Sequence, residues 1–342
     1  MTSTPTITTP RRNLITDIEG LRVGNAADPV AKTGVTVLIC DEPAAASCHV
    51  MGGAPGTRDT DLLAPHGTVP AVDALFLSGG SAFGIDAGGG VQAALKEQGR
   101  GFIVGDQSIP IAPGAILFDM LNGGNKDWGR YPPHRELGHK ATNAAARDFE
   151  LGTAGAGTGA LVAGLKGGLG SASASLPNGG TVGALVAVNA LGTPCVGDTK
   201  HFWAAPFEQD GEFGGHGLPA PMPRDAGELR IKFREQQAAG ANTTIGIIAT
   251  DLALTKAECQ RLAMAAHDGF ARALWPAHTP LDGDLIFAVS TGKHAAPDID
   301  QWIDLCAAAA ATMARAIARG VYEASEAEDD LFACWQKHWG AD

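Results

Sequence analysis

Aromatic side chains are scarce, at 6% of 342 residues, and two of them are tyrosines. The core must therefore be built from aliphatic and small side chains, and 46 glycines point to layers in close approach. No stretch reaches the ~20 apolar residues of a membrane span. The first residues, "MTSTPTITTPRRNLITDIEG", lack the apolar stretch of a signal peptide, so a cytoplasmic chain with no membrane partner is expected. Cationic side chains are also few: 25 Lys and Arg face 37 Asp and Glu, for a net charge of -12. With Arg11-Arg12 as the most basic feature, nucleic acid is excluded as a partner. The six cysteines (Cys40, Cys48, Cys195, Cys259, Cys306, Cys334) contain no C-x-x-C, which suits a reduced chain with structural thiols. The ten histidines show neither H-x-x-x-H nor H-E-x-x-H, so no metal is expected. G-x-x-x-x-G-K-[ST] and G-x-S-x-G are both missing, which removes the phosphate-binding loop and the serine nucleophile elbow. The half fingerprint at 155–164, "GAGTGALVAG", follows no convincing strand and reads as tight turns. No cofactor is implied.

What is present is a series of strand-like runs: 36–40, 74–80, 101–106, 183–189, 243–251 and 284–292. Helical periodicity is seen at 81–99, at 255–275 and at 298–324. Thr255 and Glu258 form a capping box in the second of these, ahead of a stripe of Leu262, Ala266, Phe270 and Leu274. Asp298 is placed to cap the third. Several strands follow one another with loops alone between them, which favours packed sheets with helices outside over a doubly wound fold. Residues 1–13 read as a tail, 207–230 as a polar Gly/Pro-rich linker, and 325–342 as a C-terminal tail.

The stretch "GANTTIGIIATD" (240–251) starts a buried strand with a hydroxyl directly after an Asn. An ordinary turn would account for it. The chemical alternative is self-cleavage. Asn tolerates strained backbone, and the Thr243 hydroxyl would attack the Asn242 carbonyl to give an ester that water releases. The freed α-amine, with an ordinary pKa of ~7.7–8.0, would then serve as base for its own hydroxyl. Asp282 and Asp284, two apart in "PLDGDLIFAVSTG", face the same way if extended and suit the orienting of such an amine. Lys166 lies in a Gly-rich apolar stretch and Asn189 ends a buried strand. In "LSGGSAFGIDAGGGV", the turn at Gly79 and Gly80 offers N–H groups to an anion or oxyanion.

Six motifs in this order, "GGAPGTRDTDLL", "LSGGSAFGIDAGGGV", "PIAPGAILFDMLNGGNKDW", "VAVNALG", "NTTIGIIATD" and "DGDLIFAVSTG", resemble the L-aminopeptidase/D-esterase family. That family includes β-peptidyl aminopeptidases and endo-acting nylon-oligomer hydrolases. The resemblance runs from about residue 14 to about residue 324, and its Thr version is most similar to the nylon-oligomer hydrolases. It implies a single four-layer αββα domain of the N-terminal-nucleophile kind over 14–324. It also implies self-cleavage between Asn242 and Thr243 into 1–242 and 243–342, and a homo-oligomer, expected to be a tetramer. By motif matching it puts Thr243 in the nucleophile's place, with Lys166 and Asn189 polarising the scissile carbonyl and Asp282 and Asp284 positioning the amine. Phe118, a substrate-binding candidate with Gly79 and Gly80, stands where several members carry a Tyr that helps the site, so a donor to the oxyanion is expected to be missing, with consequences for rate and substrate class. The implied activity is hydrolysis of short peptides or of oligoamides such as 6-aminohexanoate oligomers. Exo and endo action stay open, because the acidic group that would hold a free amine is not evident, with Asp106 the nearest suggestion. Acyl transfer of the ornithine acetyltransferase type and a non-enzymatic binding shell are the competing classes.

Overall fold

The structure, a computed structural model, describes residues 7–177, 179–234 and 242–340. Nine strands share one hydrogen-bonded sheet, eight along a continuous path with β1 paired to β2 off it: β1 (Leu21–Asp28), β2 (Thr33–Val50), β3 (Thr57–Arg58), β4 (Val72–Ser78), β5 (Gly114–Ile116), β6 (Gly168–Ser175), β7 (Thr181–Asn189), β8 (Thr243–Leu252) and β9 (Leu285–His294). The helices are α1 (Ala87–Glu97), α2 (His134–Asn143), α3 (Lys256–Ala273), α4 (Ile299–Tyr322) and the short α5 (Trp335–Trp339). The path folds into two layers because β2 changes partners along its length. Val35–Ile39 pair with β4, whereas Ala45–Val50 pair with β9, and the register breaks between Ile39 and Ala44.

One layer is thus β6-β7-β8-β9 with the end of β2, and the other holds β1, the start of β2, β4, β5 and β3. Strand alternation sorts their side chains into three apolar clusters. Leu185, Ile245, Ile247 and Phe287 meet Leu38, Leu75 and Leu77 between the sheets. The opposite parity of the first layer, Val182, Val186, Ile248 and Ile286, packs on Leu262, Phe270 and Met313 of α3 and α4. Val35, Val37 and Phe76 of the second layer pack on Val91 of α1 and Leu137 of α2. This is the αββα sandwich expected from the sequence.

The capping box of α3 is present, with the Thr255 hydroxyl on Glu258 N–H, and so is the Asp298 cap of α4. Four readings change. The apolar run at 101–106 joins no sheet. Phe102–Val104 pairs with Gln107–Ile109 as a small exposed hairpin, since Gly105 turns the chain at once. The linker reading of 207–230 fails around Glu212, whose buried carboxylate takes Arg315 Nε at 2.5 Å and Nη2 at 3.0 Å. The two tail readings also give way where the chain is described. Thr8 bridges to Ser175, and Asn13 Oδ1 accepts from Arg315. At the other end Trp335 is buried against Phe202.

Candidate active site

The β-branched run of β8 starts at Thr243, which is buried at the edge where three strands end together. Antiparallel register sets Asn189, the last residue of β7, opposite Thr243. On the other side Asn242 bridges in parallel to Asp282. The local ladder there is tight: Asn242 N–H donates to Leu281 O at 3.3 Å, and Gly283 N–H donates to Asn242 O at 2.8 Å. The Thr243 hydroxyl donates to that same Asn242 carbonyl oxygen at 2.6 Å. A hydroxyl and an N–H donor therefore converge on one buried peptide carbonyl.

The two carboxylates behind it have separate jobs. Asp284 Oδ1 accepts Thr244 N–H at 2.8 Å, which fixes the peptide just after Thr243. Its Oδ2 takes both the backbone N–H and Nδ1 of His278, at 3.1 and 2.9 Å. Asp282 Oδ1 accepts Leu191 N–H at 3.3 Å, and Oδ2 takes the N–H and hydroxyl of Thr279. Burial, and then the charge of Asp284, push the Asp282 pKa upward. His278 was not singled out in the sequence. Its ring stacks on Phe270 and meets the edge of His267, and His267 Nε2 lies 3.0 Å from His49 O.

Asn189 is held at every polar atom of its amide. Nδ2 donates to Phe118 O at 2.9 Å, and Oδ1 accepts Leu161 N–H at 2.9 Å and Lys232 Nζ at 3.0 Å. Phe118 thus reaches the site through its carbonyl. Lys232 is buried, and Nζ also donates to Leu161 O at 2.7 Å and Asn189 O at 3.2 Å. No sequence pattern marks Lys232.

Lys166, expected beside the scissile carbonyl, is buried and ion-paired. Its ammonium sits 2.6 Å from Asp330 Oδ2, a carboxylate that Lys32 shares at 3.0 Å. It reaches the site one step removed, through the Leu161–Lys166 strand pair. The Gly79-Gly80 turn is likewise spent internally. Gly79 N–H donates to Gly34 O, Gly80 N–H to Asp119 Oδ1 at 2.7 Å and Ser81 N–H to Leu117 O, so these amides face no open anion site. Asp106 is on the exposed hairpin beside Gln107. Among the described residues no group of three or more His, Cys, Asp or Glu side chains is arranged to hold a metal ion, and no helix is long and apolar enough to cross a membrane.

Known proteins share both the sequence and the frame. An uncharacterized aminopeptidase of Mycobacterium bovis is 42% identical, over 91% of this chain and 94% of its own length. A 6-aminohexanoate-oligomer endohydrolase of a Kocuria strain is 27% identical, over 84% and 78%. Among solved structures, the L-aminopeptidase D-Ala-esterase/amidase of Ochrobactrum anthropi, described as a variant of the Ntn hydrolase fold, superposes with a TM-score of 0.69 at 20% identity. It covers 96% of this chain and 91% of that one. A Burkholderia β-aminopeptidase gives 0.67 at 24%, over 94% and 90%. The sequence profile of Peptidase family S58 matches residues 13–330, and with that span, nearly the whole chain, this protein belongs to Peptidase family S58.

Proposed function

We propose that this chain is a self-processing amide hydrolase whose nucleophile is Thr243, acting on short peptides through an acyl-enzyme. The observation that carries the reading is the convergence of the Thr243 hydroxyl and the Gly283 N–H on the Asn242 carbonyl. In the first reaction Thr243 Oγ attacks the Asn242 carbonyl carbon. The oxyanion forms where Gly283 N–H already points, the C–N bond breaks, and the hydroxyl proton passes to the departing Thr243 nitrogen. Water then cleaves the ester to an Asn242 carboxylate and a free Thr243. In the second reaction the same Oγ attacks a substrate amide, and the Thr243 amine takes its proton and returns it to the leaving amine. Water hydrolyses the resulting ester. Asp284, anchored on Thr244 N–H and His278, holds the new chain end in register. Identity is higher to the aminopeptidase-named protein than to the oligomer hydrolase, which favours peptides. Hydrolysis of 6-aminohexanoate oligomers is the second reading, supported by the Kocuria relative.

Intact-mass spectrometry tests the first step. Wild type should give two chains, the second of 342 − 242 = 100 residues. Thr243→Ala should give one uncut chain without hydrolysis, and Thr243→Ser should retain part of both. An uncut yet active wild type, or an active Thr243→Ala, defeats the mechanism. Light scattering tests the accompanying proposal of a homotetramer.

A further inference from the structure

The loop between α3 and β9 ends at the two site carboxylates, and adjacent residues in it serve one each. Thr279 N–H and its hydroxyl donate to Asp282 Oδ2, at 2.9 and 2.7 Å. His278 N–H and Nδ1 reach Asp284 Oδ2, at 3.1 and 2.9 Å. His278 grips that one oxygen with main chain and ring together, from a left-handed backbone with φ +56°. A side chain in that region is uncommon and persists where its surroundings fix it. We propose that His278 is a positioning residue for the cut enzyme: through Asp284 it holds the free end of β8, so that the Thr243 hydroxyl and amine stay aimed at the substrate amide. The proposal rests on the reading of Thr243 as nucleophile and names what keeps that nucleophile in place once its peptide bond is gone.

What restrains Thr243 changes at the cut. In the uncut chain the peptide bond ties it to Asn242, which is itself pinned by Leu281 O and Gly283 N–H. Cleavage leaves Asn242 on the other piece, and these contacts cease to hold Thr243. On the β7 side the register stays, with Thr243 opposite Asn189. On the β9 side strand pairing starts only at Ile245, opposite Leu285. One residue nearer the chain end, Thr244 N–H is taken by Asp284 Oδ1 at 2.8 Å. The carboxylate thus extends the ladder by one step toward the nucleophile. The terminal torsion of an Asp is soft, and the carboxylate is fixed only when its second oxygen is engaged as well. His278 engages it.

The ring is fixed in turn. The carboxylate assigns the ring proton to Nδ1, because a bare nitrogen there would set its lone pair against that of an oxygen. Nε2 is buried and has no partner among the described residues. Phe270 stacks on the ring at 5.3 Å and 17°, and His267 meets it at 4.9 Å and 73°. His267 is anchored by its own Nε2–H on His49 O at 3.0 Å. Packed rings from β2 and α3 therefore hold the donor in place. A ring kept for packing alone is replaceable by an apolar side chain, whereas a ring kept as a donor is replaceable by an amide at the Nδ1 position.

Three variants of the full chain separate these roles. Asn puts an amide N–H where Nδ1 stands and tolerates left-handed backbone. Leu keeps apolar contact with Phe270 and has no donor, and Gln carries its amide one bond too far out. His278→Asn should be cut, with kcat within about tenfold of wild type, whereas His278→Leu should be cut yet lose about 100-fold in kcat at unchanged KM, the scale of a 1 Å displacement of reacting groups. Intact mass and steady-state kinetics on an amino-acid p-nitroanilide read both. His278→Gln should behave as His278→Leu does and replaces it if that variant does not fold. Equal kcat in His278→Leu and His278→Asn overturns the proposal, whether both are fast or both slow. A folded His278→Leu that stays uncut overturns it too, since the strand end would then depend on His278 before it is free. Wild type separates the two levels. An uncut, inactive wild type counts against Thr243 and removes the proposal with it, whereas a cut, active wild type matched by all three variants counts against His278 alone.

Discussion

At position 283 a side chain has no room. A Cβ on Gly283 would lie 2.6 Å from Thr243 Oγ1 and 2.7 Å from Ala54 O. The residue between Asp282 and Asp284 is thus as constrained as the carboxylates themselves, because its N–H must reach Asn242 O while its Cα leaves the hydroxyl free. Gly283→Ala should slow self-cleavage about 100-fold, the scale set by a 1 Å displacement of reacting groups. A time course of intact mass after rapid purification checks it, and a wild-type rate would detach the Gly283 amide from the reaction. The candidate site was partly legible at this scale. Thr243, Asn189, Asp282 and Asp284 carry side chains whose chemistry shows in a string of letters, and the structure brings all four together. Gly283 contributes a backbone N–H, and Lys232 meets carbonyls far off in the sequence, so spacing does not reveal them; His278 lies near its partner Asp284 in the sequence, yet the pair matches no motif. Lys166 was legible as unusual, but its partner Asp330 belongs to a segment that reads as a tail.

Among the elements, the β-branched strands declared themselves and β6 did not. Its sequence, "GLGSASAS", has almost no apolar signal, yet seven of its eight residues are buried. The reason is α4, whose backbone runs so near that a Cβ on Gly170 would overlap the Ala316 carbonyl oxygen. Small residues are required here by distance, and a hydrophobicity pattern cannot express that. Gly170→Ala should cost about 1–3 kcal/mol through overpacking, read as a lowered urea midpoint with an unchanged slope; an unaltered midpoint would show that α4 yields. The same sheet predicts how the cut products behave. β8 and β9, both from 243–342, lie between β7 and β2 of the other piece. Separating the pieces means breaking two ladders and the apolar layers on both faces of the sheet. The cut chains should therefore co-elute in gel filtration and part only in denaturant, and free 100-residue fragment in native buffer would contradict this arrangement.

For the whole molecule, the buried histidines tie stability to acid. His134 lies against Thr33 Oγ1 at 3.1 Å, and burial, then the Lys126 charge, lowers its pKa to about 4. His267 is lowered to about 3, first by burial and then by the neighbouring imidazoles His278 and His49, with its bond to His49 O opposing. Both are depressed below the ordinary imidazole value of 6.5. As pH falls below that value the unfolded chain takes up protons that the folded chain refuses, so each histidine lowers stability until its folded pKa is reached. Asp119 and Asp282 work the other way, since burial raises both and the folded chain binds their protons first. The total pH curve mixes these contributions, and a difference between two proteins isolates one. In His267→Gln, whose amide N–H can replace the bond to His49 O, the unfolding free energy between pH 6 and 4 should fall less steeply than in wild type. The slopes should differ by about one proton, or roughly 1.4 kcal/mol per pH unit. Urea unfolding at several pH values measures it, and parallel curves would mean that His267 titrates alike in both states.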